Sequence, residues 1–384
     1  MEKTYSGKII VSVTNDLATD NRVDKVCTFL ASAGFEVLLV GRRLSGSLPL
    51  EKRIYATRRI RLLFTQGPLF YAEYNLRLFL LLLFSKSDIF LANDLDTLLA
   101  NYVASGIRKK ILVFDSHEYF TGVPELVHRP RVQHIWKSIE KRIVPKIKYA
   151  YTVCDSIAGL YKSEYGTSFG VVRNIPYPHE KGVNIPEEKK IKTNKKIILY
   201  QGAVNIARGL PQVISAMEYL DNALLVIVGT GDILEEIKKQ ASELKLADKV
   251  IFTGRVPAGE VIYYTTQADL GLSVEEDVGL NYRYALPNKL FDYIAAKVPV
   301  VVSNLPEMAK LVNHYQVGTI INSNESHALA KQLEEALNNE QLRKTWKANL
   351  EKAAKELTWE NEEKVLKQIF TMIAESSAKH GINS

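Results

Sequence analysis

Short apolar runs rich in β-branched residues alternate with helix-like segments along the whole chain. In the first half these runs are Lys8–Thr14, Glu36–Gly41, Asp88–Ala92, Ile111–Asp115, Ala150–Val153 and Val171–Arg173. In the second half they are Lys196–Tyr200, Leu224–Gly229, Val250–Thr253, Leu270–Val274, Val298–Ser303 and Thr319–Ile321. Near-continuous apolar strands separated by helices are typical of a parallel sheet that is covered on both faces. The pattern predicts an α/β protein of two tandem doubly wound domains, which face a cleft at the carboxyl ends of their strands.

The segment between the two halves has the composition of a linker. Pro176 to Lys196 is rich in Pro, Lys and Glu, as connecting segments often are. The sequence therefore predicts an N-terminal domain over residues 1–178, a linker over 179–196 and a C-terminal domain over 197–358.

The last segment of the chain is predicted to be a helix. From Trp359 onward, Val365, Leu366, Ile369 and Phe370 fall on one helical face, and no strand follows. We expect residues 359–384 to pack across the domain junction onto the N-terminal domain.

Charge is unevenly distributed along the 384 residues. The chain has a net charge of +7, but residues 1–180 contain 25 Lys and Arg against 17 Asp and Glu, while the remainder is slightly acidic. The basic half favours an anionic partner, such as a membrane surface, a nucleic acid or a phosphorylated substrate. Because the sequence has no helix-turn-helix, zinc or RNP-type motif, we expect no nucleic acid partner.

Cysteine use and hydropathy predict a cytoplasmic protein. Cys27 and Cys154 lie in apolar segments without metal-ligand spacing, so we interpret both as reduced core residues. The first apolar run is too short for a signal peptide. The most hydrophobic segment, Leu76 to Phe84, contains Arg77 and is far shorter than the ~20 residues of a membrane span.

A basic amphipathic helix is predicted between Arg129 and Lys148. Seven Lys and Arg residues alternate there with apolar side chains that include Trp136. Such a helix could lie on an anionic membrane as a peripheral anchor. The alternative is an ordinary helix whose apolar face packs on the core.

Glycine-containing turns follow the first two strands of the second half. Gly202 follows the first of these strands, and Gly229 and Gly231 follow the next. Glycine lets backbone N–H groups approach a phosphate or a ribose closely. A tight turn without a ligand is an equally good interpretation of either segment.

The segment from Pro287 to Tyr293 combines a helix start with a misplaced charge. Pro287 suits the first position of a helix, which puts Lys289 in the first turn. A cation there opposes the helix dipole at a cost of ~0.3–1 kcal/mol, and a bound anion would explain it. The alternative is a salt bridge to Asp292, in the less favourable order.

The order of motifs in the second half resembles a known family. The motifs are Gln201-Gly202, Arg208-Gly209, Val228-Gly229-Thr230-Gly231, Phe252-Thr253-Gly254-Arg255-Val256, Ala268-Asp269-Leu270-Gly271-Leu272, Pro287-Asn288-Lys289-Leu290-Phe291-Asp292-Tyr293 and Pro299-Val300-Val301. This order is similar to that of glycosyltransferase family 4. The resemblance implies two Rossmann-like domains of GT-B type and a retaining transfer from a UDP- or GDP-sugar. It also implies a sugar or lipid-linked acceptor in polysaccharide or glycolipid synthesis, with no bound cofactor and no metal.

The resemblance also implies roles for individual residues. Arg208 and Lys289 would be the diphosphate cations, Asp292 would hold the ribose hydroxyls, and Glu275 or Glu276, with Glu276 preferred, would face the donor sugar. The remaining residues of the nucleotide site would be Gly202, Gly229, Gly231, Arg255, Val256, Asn288 and Leu290.

Two positions depart from the family pattern. The usual pair of glutamates with seven residues between them is absent, since Asp292 stands at the second position and Tyr284 at the first. Arg208 stands where many members carry Lys.

Polar clusters follow three strands of the first half and are predicted to bind the acceptor. They supply Asn15, Asp16, Arg22, Asn93, Asp94, His117 and Glu118. The resemblance gives His117 a contact with the transferred sugar, and its imidazole could bond a hydroxyl group or assist the acceptor. The alternative is a helix-capping cluster. Asp94 and Asp96 spell a metal-binding D-x-D motif, but we interpret them as helix-start residues.

Two other functions of this fold stay open at this stage. A nucleotide-sugar epimerase would release an epimerised sugar without an acceptor. A non-catalytic protein with a degenerate site would bind the nucleotide-sugar without turnover, and the altered glutamate pair is the feature that favours it.

Overall fold

The computed structural model describes residues 5–18, 20–177 and 183–379, and the chain divides into two units. The first unit comprises Met1–Arg173 together with Glu363–Ser384, and the second comprises Asn174–Glu362. Residues 179–182 of the predicted linker and residues 380–384 of the predicted terminal helix lie outside the described residues.

The first unit is built on a seven-stranded parallel sheet. Its strands lie in the order β3-β2-β1-β4-β5-β6-β7. They are β1 (Lys8–Asp16), β2 (Glu36–Arg43), β3 (Ala56–Arg61), β4 (Ile89–Asn93), β5 (Ile111–Ser116), β6 (Tyr149–Thr152) and β7 (Gly170–Val171).

Strand β3 was not predicted from the sequence, and its position in the sheet explains why. Its sequence, ATRRIR, has three arginines in six residues and none of the apolar continuity of a buried strand. The strand pairs only with β2 and forms the edge of the sheet. Edge strands tolerate, and often use, charged side chains.

Six helices connect these strands. They are α1 (Asn21–Ala33), α2 (Gly67–Phe84), α3 (Leu95–Arg108), α4 (Pro124–Val127), α5 (Pro130–Ile143) and α6 (Asp155–Tyr165). Helix α1 ends as predicted at Gly34, which has a φ of 116° that a residue with a β-carbon rarely adopts. Asp20 caps its other end by accepting a hydrogen bond from the backbone N–H of Val23.

The second unit contains a six-stranded parallel sheet in the order β10-β9-β8-β11-β12-β13. Its strands are β8 (Lys196–Gln201), β9 (Ala223–Val228), β10 (Val250–Gly254), β11 (Leu270–Ser273), β12 (Val300–Val302) and β13 (Gly318–Ile320). The order reverses between β8 and β11, where a doubly wound sheet typically binds its ligand.

Both faces of this second sheet are buried. Ile198 and Tyr200 of β8 pack into one apolar cluster, whereas Ile197 and Leu199 pack into another. Because successive side chains of a strand point to opposite faces, the two clusters cover the two sides of the sheet. The prediction of two doubly wound parallel α/β domains is confirmed.

The helices of the second unit include several short ones. They are α7 (Leu210–Ala216), α8 (Leu234–Glu243), α9 (Val261–Thr265), α10 (Leu280–Arg283), α11 (Asn288–Ala295), α12 (Pro306–Tyr315), α13 (Ser326–Asn338), α14 (Glu340–Glu356) and α15 (Trp359–Lys379). The prediction for Pro287 was one residue off, since this proline is the extended residue before α11, and the helix begins at Asn288.

Helix α15 begins in the second unit and continues in the first. Within the first unit, the ring of Phe370 packs edge-on against Phe35 at 5.7 Å. The hydroxyl group of Tyr5 hydrogen-bonds to Thr371 at 2.7 Å. Both ends of the chain therefore contribute to the first unit. None of the helices in the part of the chain that the structure describes is long and apolar enough to cross a membrane.

Candidate functional site

Arg208 and Lys289, the two predicted diphosphate cations, meet at one carboxylate in the second unit. Lys289 Nζ lies 2.9 Å from Glu275 Oε1, and Arg208 Nη1 lies 3.3 Å from the same oxygen. Glu275 is only 1% exposed, and Ser273 Oγ donates a hydrogen bond of 2.8 Å to its other oxygen. Two cations thus share one anion, so the cluster carries an excess positive charge.

The local fold explains why these three side chains meet. Glu275 follows β11 by two residues, Arg208 lies in the loop after β8, and Lys289 is the second residue of α11. Strands β8 and β11 are parallel neighbours in the sheet, so the segments that follow them start side by side at the carboxyl ends of the strands. The buried face of α11, which includes Leu290 and Phe291, holds Lys289 at the carboxyl ends of these strands.

The cluster keeps its groups charged in spite of burial. Burial alone would raise the pKa of the Glu275 carboxyl, but Lys289 and Arg208 bring this pKa below its ordinary value. Burial likewise opposes the charged form of Arg208, yet Glu275 raises the pKa of the guanidinium above its ordinary value. The site therefore holds two cations and one anion at neutral pH.

Both cations retain hydrogen-bonding capacity. The contact of Lys289 Nζ with Glu275 is not aligned as a hydrogen bond, and the buried Arg208 Nε has no hydrogen-bond partner among the described residues. Lys289 Nζ also lies 3.9 Å from the centre of the Tyr200 ring, and Arg208 Cζ lies 5.2 Å from that of Tyr282. Aromatic faces stabilise a cation without using its N–H donors. Arg208 Nε and Lys289 Nζ are thus buried donors that no acceptor among the described residues uses.

Asp292 lies next to this cluster and is oriented by a glutamine. Gln201 Nε2 donates a hydrogen bond of 3.1 Å to Asp292 Oδ2, and Thr265 Oγ1 donates one of 2.7 Å to Gln201 Oε1. The amide of Gln201 is therefore fixed in one orientation. The hydroxyl group of Tyr293 accepts a bond of 3.1 Å from the backbone N–H of Gln201. The carboxylate of Asp292 is held in place by this chain of bonds.

The predicted glycines fall into two groups. A β-carbon on Gly229 would lie 1.9 Å from the carbonyl oxygen of Gly202, and one on Gly231 would lie 2.2 Å from Asn205 Oδ1. These two glycines are required by loop packing within the protein, as the tight-turn alternative has it. Gly202 instead has a φ of 122°, and a β-carbon there would have Lys289 Cε as its nearest neighbour, at 3.8 Å. Gly202 thus borders the cationic cluster.

The remaining predicted donor residues differ in exposure. Glu276 is half-buried and accepts a hydrogen bond of 3.0 Å from Gln212 Nε2. Arg255 is exposed directly after β10, and Val256 is half-buried against the core. Asn288 opens α11 and is exposed. The side chain of Leu290 is fully buried in the core, so only its backbone could meet a ligand.

In the first unit, His117 lies between two carboxylates. Its Nδ1 is 3.3 Å from Asp94 Oδ2, and its Nε2 is 3.2 Å from Asp115 Oδ2 and 3.0 Å from Asn93 Oδ1. The backbone N–H of His117 also donates a bond of 2.7 Å to Asp94. The imidazole therefore connects the ends of β4 and β5.

These carboxylates set the protonation state of His117. Burial alone would lower the pKa of the imidazole, but Asp94 and Asp115 raise it to about 9. Burial raises the pKa of Asp94 and of Asp96 to about 6. The pKa of Asp115 is lowered in spite of burial by Arg22 and His117. At neutral pH His117 is a cation that can only donate hydrogen bonds.

Arg22 is committed to the interior of the first unit. It is 4% exposed, it contacts both oxygens of Asp115 at 2.7 and 3.3 Å, and it donates a bond of 2.8 Å to the carbonyl oxygen of Val172. The pair is bidentate and buried, and these three bonds use three of the five N–H donors of the guanidinium. Arg22 therefore positions Asp115, and its predicted role on the acceptor side stays a prediction.

The other predicted acceptor residues lie at the same ends of the strands. Asn15 is exposed, and its amide donates a bond of 3.3 Å to Asp20. Asp16 lies 3.7 Å from Arg59. Asn93 is buried and bonds to the carbonyl oxygen of Ser12 at 3.1 Å. Glu118 is half-buried, one residue beyond His117.

Asp94 and Asp96 stand at the start of α3. Asp94 directly precedes the helix but makes no capping bond, since its carboxylate bonds to His117 instead. Its φ of 56° is uncommon for a residue with a β-carbon. Asp96 accepts a hydrogen bond from Thr14. Both carboxylates are thus engaged inside the first unit.

Helix α5 uses part of its amphipathic face within the protein. Trp136 is 8% exposed and packs edge-on against Tyr71 and Phe120 at 5.1 and 5.2 Å. Lys137 lies 3.1 Å from the buried Glu140 and 2.7 Å from Glu164. The aromatic residue and Lys137 are therefore not available to a membrane, which removes two of the features that predicted docking by α5.

Three residues of these sites are not evident from the sequence. The motif order makes Glu275 only the less preferred sugar-facing acid and does not reveal its role as a counter-ion. Asp115 and Gln201 stand out there only as strand ends. A polar residue that closes an otherwise apolar strand is the signal that could have found Asp115 and Gln201.

Comparison with known proteins finds a family match within the second unit. Residues 183–353 match the model of the family described as glycosyl transferases group 1. Alpha-monoglucosyldiacylglycerol synthase of Streptococcus pneumoniae is 27% identical over 169 residues, which are 42% of this chain and 36% of that protein. The GDP-mannose-dependent alpha-(1-6)-phosphatidylinositol monomannoside mannosyltransferase of Mycobacterium tuberculosis is 26% identical over 227 residues, which are 52% of this chain and 56% of that protein. The chain thus matches between about a third and just over half of these relatives' lengths.

A solved structure shares the fold of the whole chain. The Anabaena protein HepE, in complex with UDP-glucose, superposes with a TM-score of 0.73 at 15% identity and covers 96% of this chain and 100% of that one. This likeness confirms the predicted GT-B fold, and the family match over residues 183–353 agrees with the resemblance to glycosyltransferase family 4.

Proposed function

We propose that this chain, whose residues 183–353 match the family described as glycosyl transferases group 1, is a glycosyltransferase that takes a sugar from a nucleotide-sugar. The observation that carries the proposal is the convergence of Arg208 and Lys289 on the buried Glu275, at the edge where β8 and β11 end. A cluster with excess positive charge and unused N–H donors suits a diphosphate.

The second unit would bind the donor through this cluster. Arg208 and Lys289 would contact the diphosphate oxygens, and the carboxylate of Asp292, oriented by Gln201, would accept hydrogen bonds from the ribose. The two cations supply the charge that a divalent metal supplies in other transferases, so we propose binding without metal. The Mycobacterium relative is described as GDP-mannose-dependent, and the Anabaena protein was solved with UDP-glucose, so both nucleotides are candidates.

The chemistry we propose needs positioning and electrostatics but no protein nucleophile. As the bond between sugar and phosphate breaks, negative charge grows on the leaving diphosphate, and Arg208 and Lys289 stabilise it. Glu275 holds both cations in place before the ligand arrives, so little reorganisation is needed. Transfer with retention follows if the leaving diphosphate accepts the acceptor's proton on the same face of the sugar. Glu276 is our candidate for a contact with the donor sugar.

The first unit would bind the acceptor, a sugar or a lipid-linked sugar. His117 with a pKa of about 9 is protonated at neutral pH, so it would not act as a general base there. Both of its ring nitrogens face protein oxygens, so it would act first by holding Asp94 and Asn93 in position. It would donate a hydrogen bond to a sugar hydroxyl group only if that group replaced one of these protein oxygens. It is thus a positioning residue in this proposal.

We also propose a peripheral attachment to the inner face of the membrane, through a surface other than α5. Helices α2 and α3 pack against each other, and both expose apolar side chains. We call this the α2–α3 apolar surface; it consists of Leu69, Leu76, Leu80, Phe84, Leu99, Val103 and Ile107.

Exposed lysines near the α2–α3 apolar surface and the buried thiols of the chain support this attachment. Lys86 and Lys109 are exposed directly after the two helices, where they suit anionic lipid headgroups. Exposed apolar side chains that recur along one face favour an interface over bulk water. Cys27 and Cys154 are both buried thiols, as expected for a cytoplasmic protein.

One experiment separates this function from its two alternatives. The protein is incubated with radiolabelled UDP- and GDP-sugars, with and without a lipid extract. Label that moves to the lipid or glycan fraction only when the extract is present supports the transferase. A free epimerised sugar without an acceptor would identify an epimerase. Nucleotide binding with no product under either condition would identify a binding protein and contradict the proposal.

A further inference from the structure

A row of arginines lies on one face at the carboxyl ends of β2 and β3. Side chains two residues apart on a strand share a face, so Thr57, Arg59 and Arg61 of β3 point to the same side. The parallel register pairs Arg43 with Arg61 and Gly41 with Arg59. Arg43 and Arg61 are therefore cross-strand neighbours, and Arg59 lies on the same face, two residues before Arg61.

The charges in this row are not balanced. Like charges directly opposite each other on neighbouring strands are destabilising. Arg43 and Arg61 are exposed, and neither has an acidic partner within 4.0 Å among the described residues. Only Arg59 is anchored, with Nη1 3.7 Å from Asp16 Oδ1 and Nη2 donating a bond of 2.7 Å to the carbonyl oxygen of Leu48. Three guanidinium groups face a single carboxylate in this part of the described chain.

These arginines line a pocket. Its volume is about 630 Å³, and it is bounded by the loop that follows β2, including Ser47 and Leu48. It opens at the carboxyl ends of parallel strands, where doubly wound domains bind ligands. Asp16, at the end of β1, links it to the predicted acceptor residues. Three of the cations that make the first half of the chain basic therefore line this pocket.

We propose that Arg43, Arg59 and Arg61 bind a phosphate or pyrophosphate group. Planar guanidinium groups bind phosphate oxygens in pairs, and a dianion would remove the repulsion between Arg43 and Arg61. The group belongs to the acceptor, either as a soluble sugar phosphate or as the headgroup of a phospholipid-linked sugar. The assignment to the acceptor rests on the proposed function, whereas the anion site itself does not.

Pyrophosphate binding to the full-length protein tests the site. Calorimetric titrations are made with saturating UDP or GDP present, whichever of the two stabilises the protein, so that the probe does not report on the donor cluster. Relative to wild type, Arg43→Gln/Arg61→Gln should weaken pyrophosphate binding at least ~10-fold. Arg58→Gln is the matched control, because it removes the same charge from β3 on the opposite face.

Melting temperatures show whether a variant loses pyrophosphate binding because its fold is destabilised. Without ligand, Arg61→Gln should leave the melting temperature unchanged or raise it, since it relieves repulsion. A fall in melting temperature for Arg61→Gln but not for Arg58→Gln would instead give the arginines a structural role and contradict the proposal. So would pyrophosphate affinity that is unchanged in the double variant, or weakened equally in the control.

Vesicles distinguish the two sources of the phosphate. Cosedimentation is measured with phosphatidylcholine vesicles that contain phosphatidic acid. Loss of both pyrophosphate and vesicle binding in Arg43→Gln/Arg61→Gln supports a lipid headgroup, and loss of pyrophosphate binding alone supports a soluble phosphate. If no sugar is transferred from UDP- or GDP-sugars but Arg43→Gln/Arg61→Gln still weakens pyrophosphate binding, the proposed function is refuted and the anion site is supported.

Discussion

The buried carboxylate of Glu275 and the ammonium group of Lys289 lie 2.9 Å apart, and this pair gives Lys289 two roles at once. It compensates a carboxylate that is removed from water, and its ammonium group keeps donors that no acceptor among the described residues uses. A variant at Lys289 will therefore affect both stability and activity, and the two effects have to be measured separately.

Lys289→Ala and Arg208→Ala should each lower kcat/KM by ~10²–10³, because each removes a preorganised cation from the leaving diphosphate. Lys289→Ala should also lower the melting temperature, since Glu275 loses its nearest cation. Assays well below that temperature separate the effects. Lys297→Ala is the control, because it removes an exposed lysine paired with the exposed Glu351. Kinetics close to wild type in either single variant would exclude that residue from the site.

The Arg208→Ala/Lys289→Ala double variant should lose less than the product of the two single effects. Both cations meet at one oxygen of Glu275, and groups that share a partner are not additive. Strictly multiplicative losses in kcat/KM would show that the two cations act on different parts of the ligand.

UDP, GDP or a sugar derivative of one of them should stabilise the protein without added metal. At 100 times its dissociation constant, a ligand raises the free energy of unfolding by ~2.7 kcal/mol. Thermal shift assays in EDTA test this, with inosine as a control that lacks the diphosphate. Stabilisation that needs manganese or magnesium would refute the metal-free arrangement.

His117→Ala should reduce turnover while nucleotide affinity stays at the wild-type value, because His117 orients Asp94 and Asn93 in the other unit from the donor cluster. Calorimetry with UDP or GDP and initial rates test the two halves of this statement. Weakened nucleotide binding with unchanged turnover would contradict it.

The contribution of His117 to stability should disappear in alkaline solution. The folded pKa of about 9 lies above the unfolded value of ~6.5, so the stabilisation is fully present below pH 6.5 and is lost as the pH rises through 9. The difference in unfolding free energy between wild type and His117→Gln should shrink over this range, by an amount on the order of 1–3 kcal/mol. Asp94 and Asp96 titrate near 6, below the window. A pH-independent difference would refute the assigned protonation state.

Leu76→Glu/Leu80→Glu should release the protein from vesicles of phosphatidylcholine and phosphatidylglycerol. Both leucines are exposed, at 60% and 45%, so the fold should tolerate the change. The loss of two inserted side chains should cost at least ~10-fold in partitioning. Lys141→Glu/Arg142→Glu on α5 is the control and should have the smaller effect. Cosedimentation that depends on the α5 residues alone would return the docking site to that helix.

The sequence predicted what depends on apolar periodicity, and it missed what depends on charge inside the fold. Strands such as β8 and β9 are buried on both faces, so their composition reveals them. Strand β3 was not predicted because an edge strand need not be apolar. Arg208, Lys289 and Glu275 could all be found from motif order, but the role of Glu275 as the common partner of the two cations could not. No local pattern distinguishes an acid that faces a ligand from one that turns inward to hold two cations.

The path of the chain has a consequence for how the protein is made. The second unit is an insertion in topological terms, because the first unit is completed only by residues 363–379 of α15. During synthesis, Tyr5 and Phe35 emerge before the second unit is made, whereas Phe370, which packs against Phe35, emerges only after it. The first unit must therefore wait, with an apolar surface uncovered, while the second unit is translated and can fold as one continuous segment. A truncation before α15 would extend that waiting state indefinitely, and would make the first unit a substrate for chaperones and proteases.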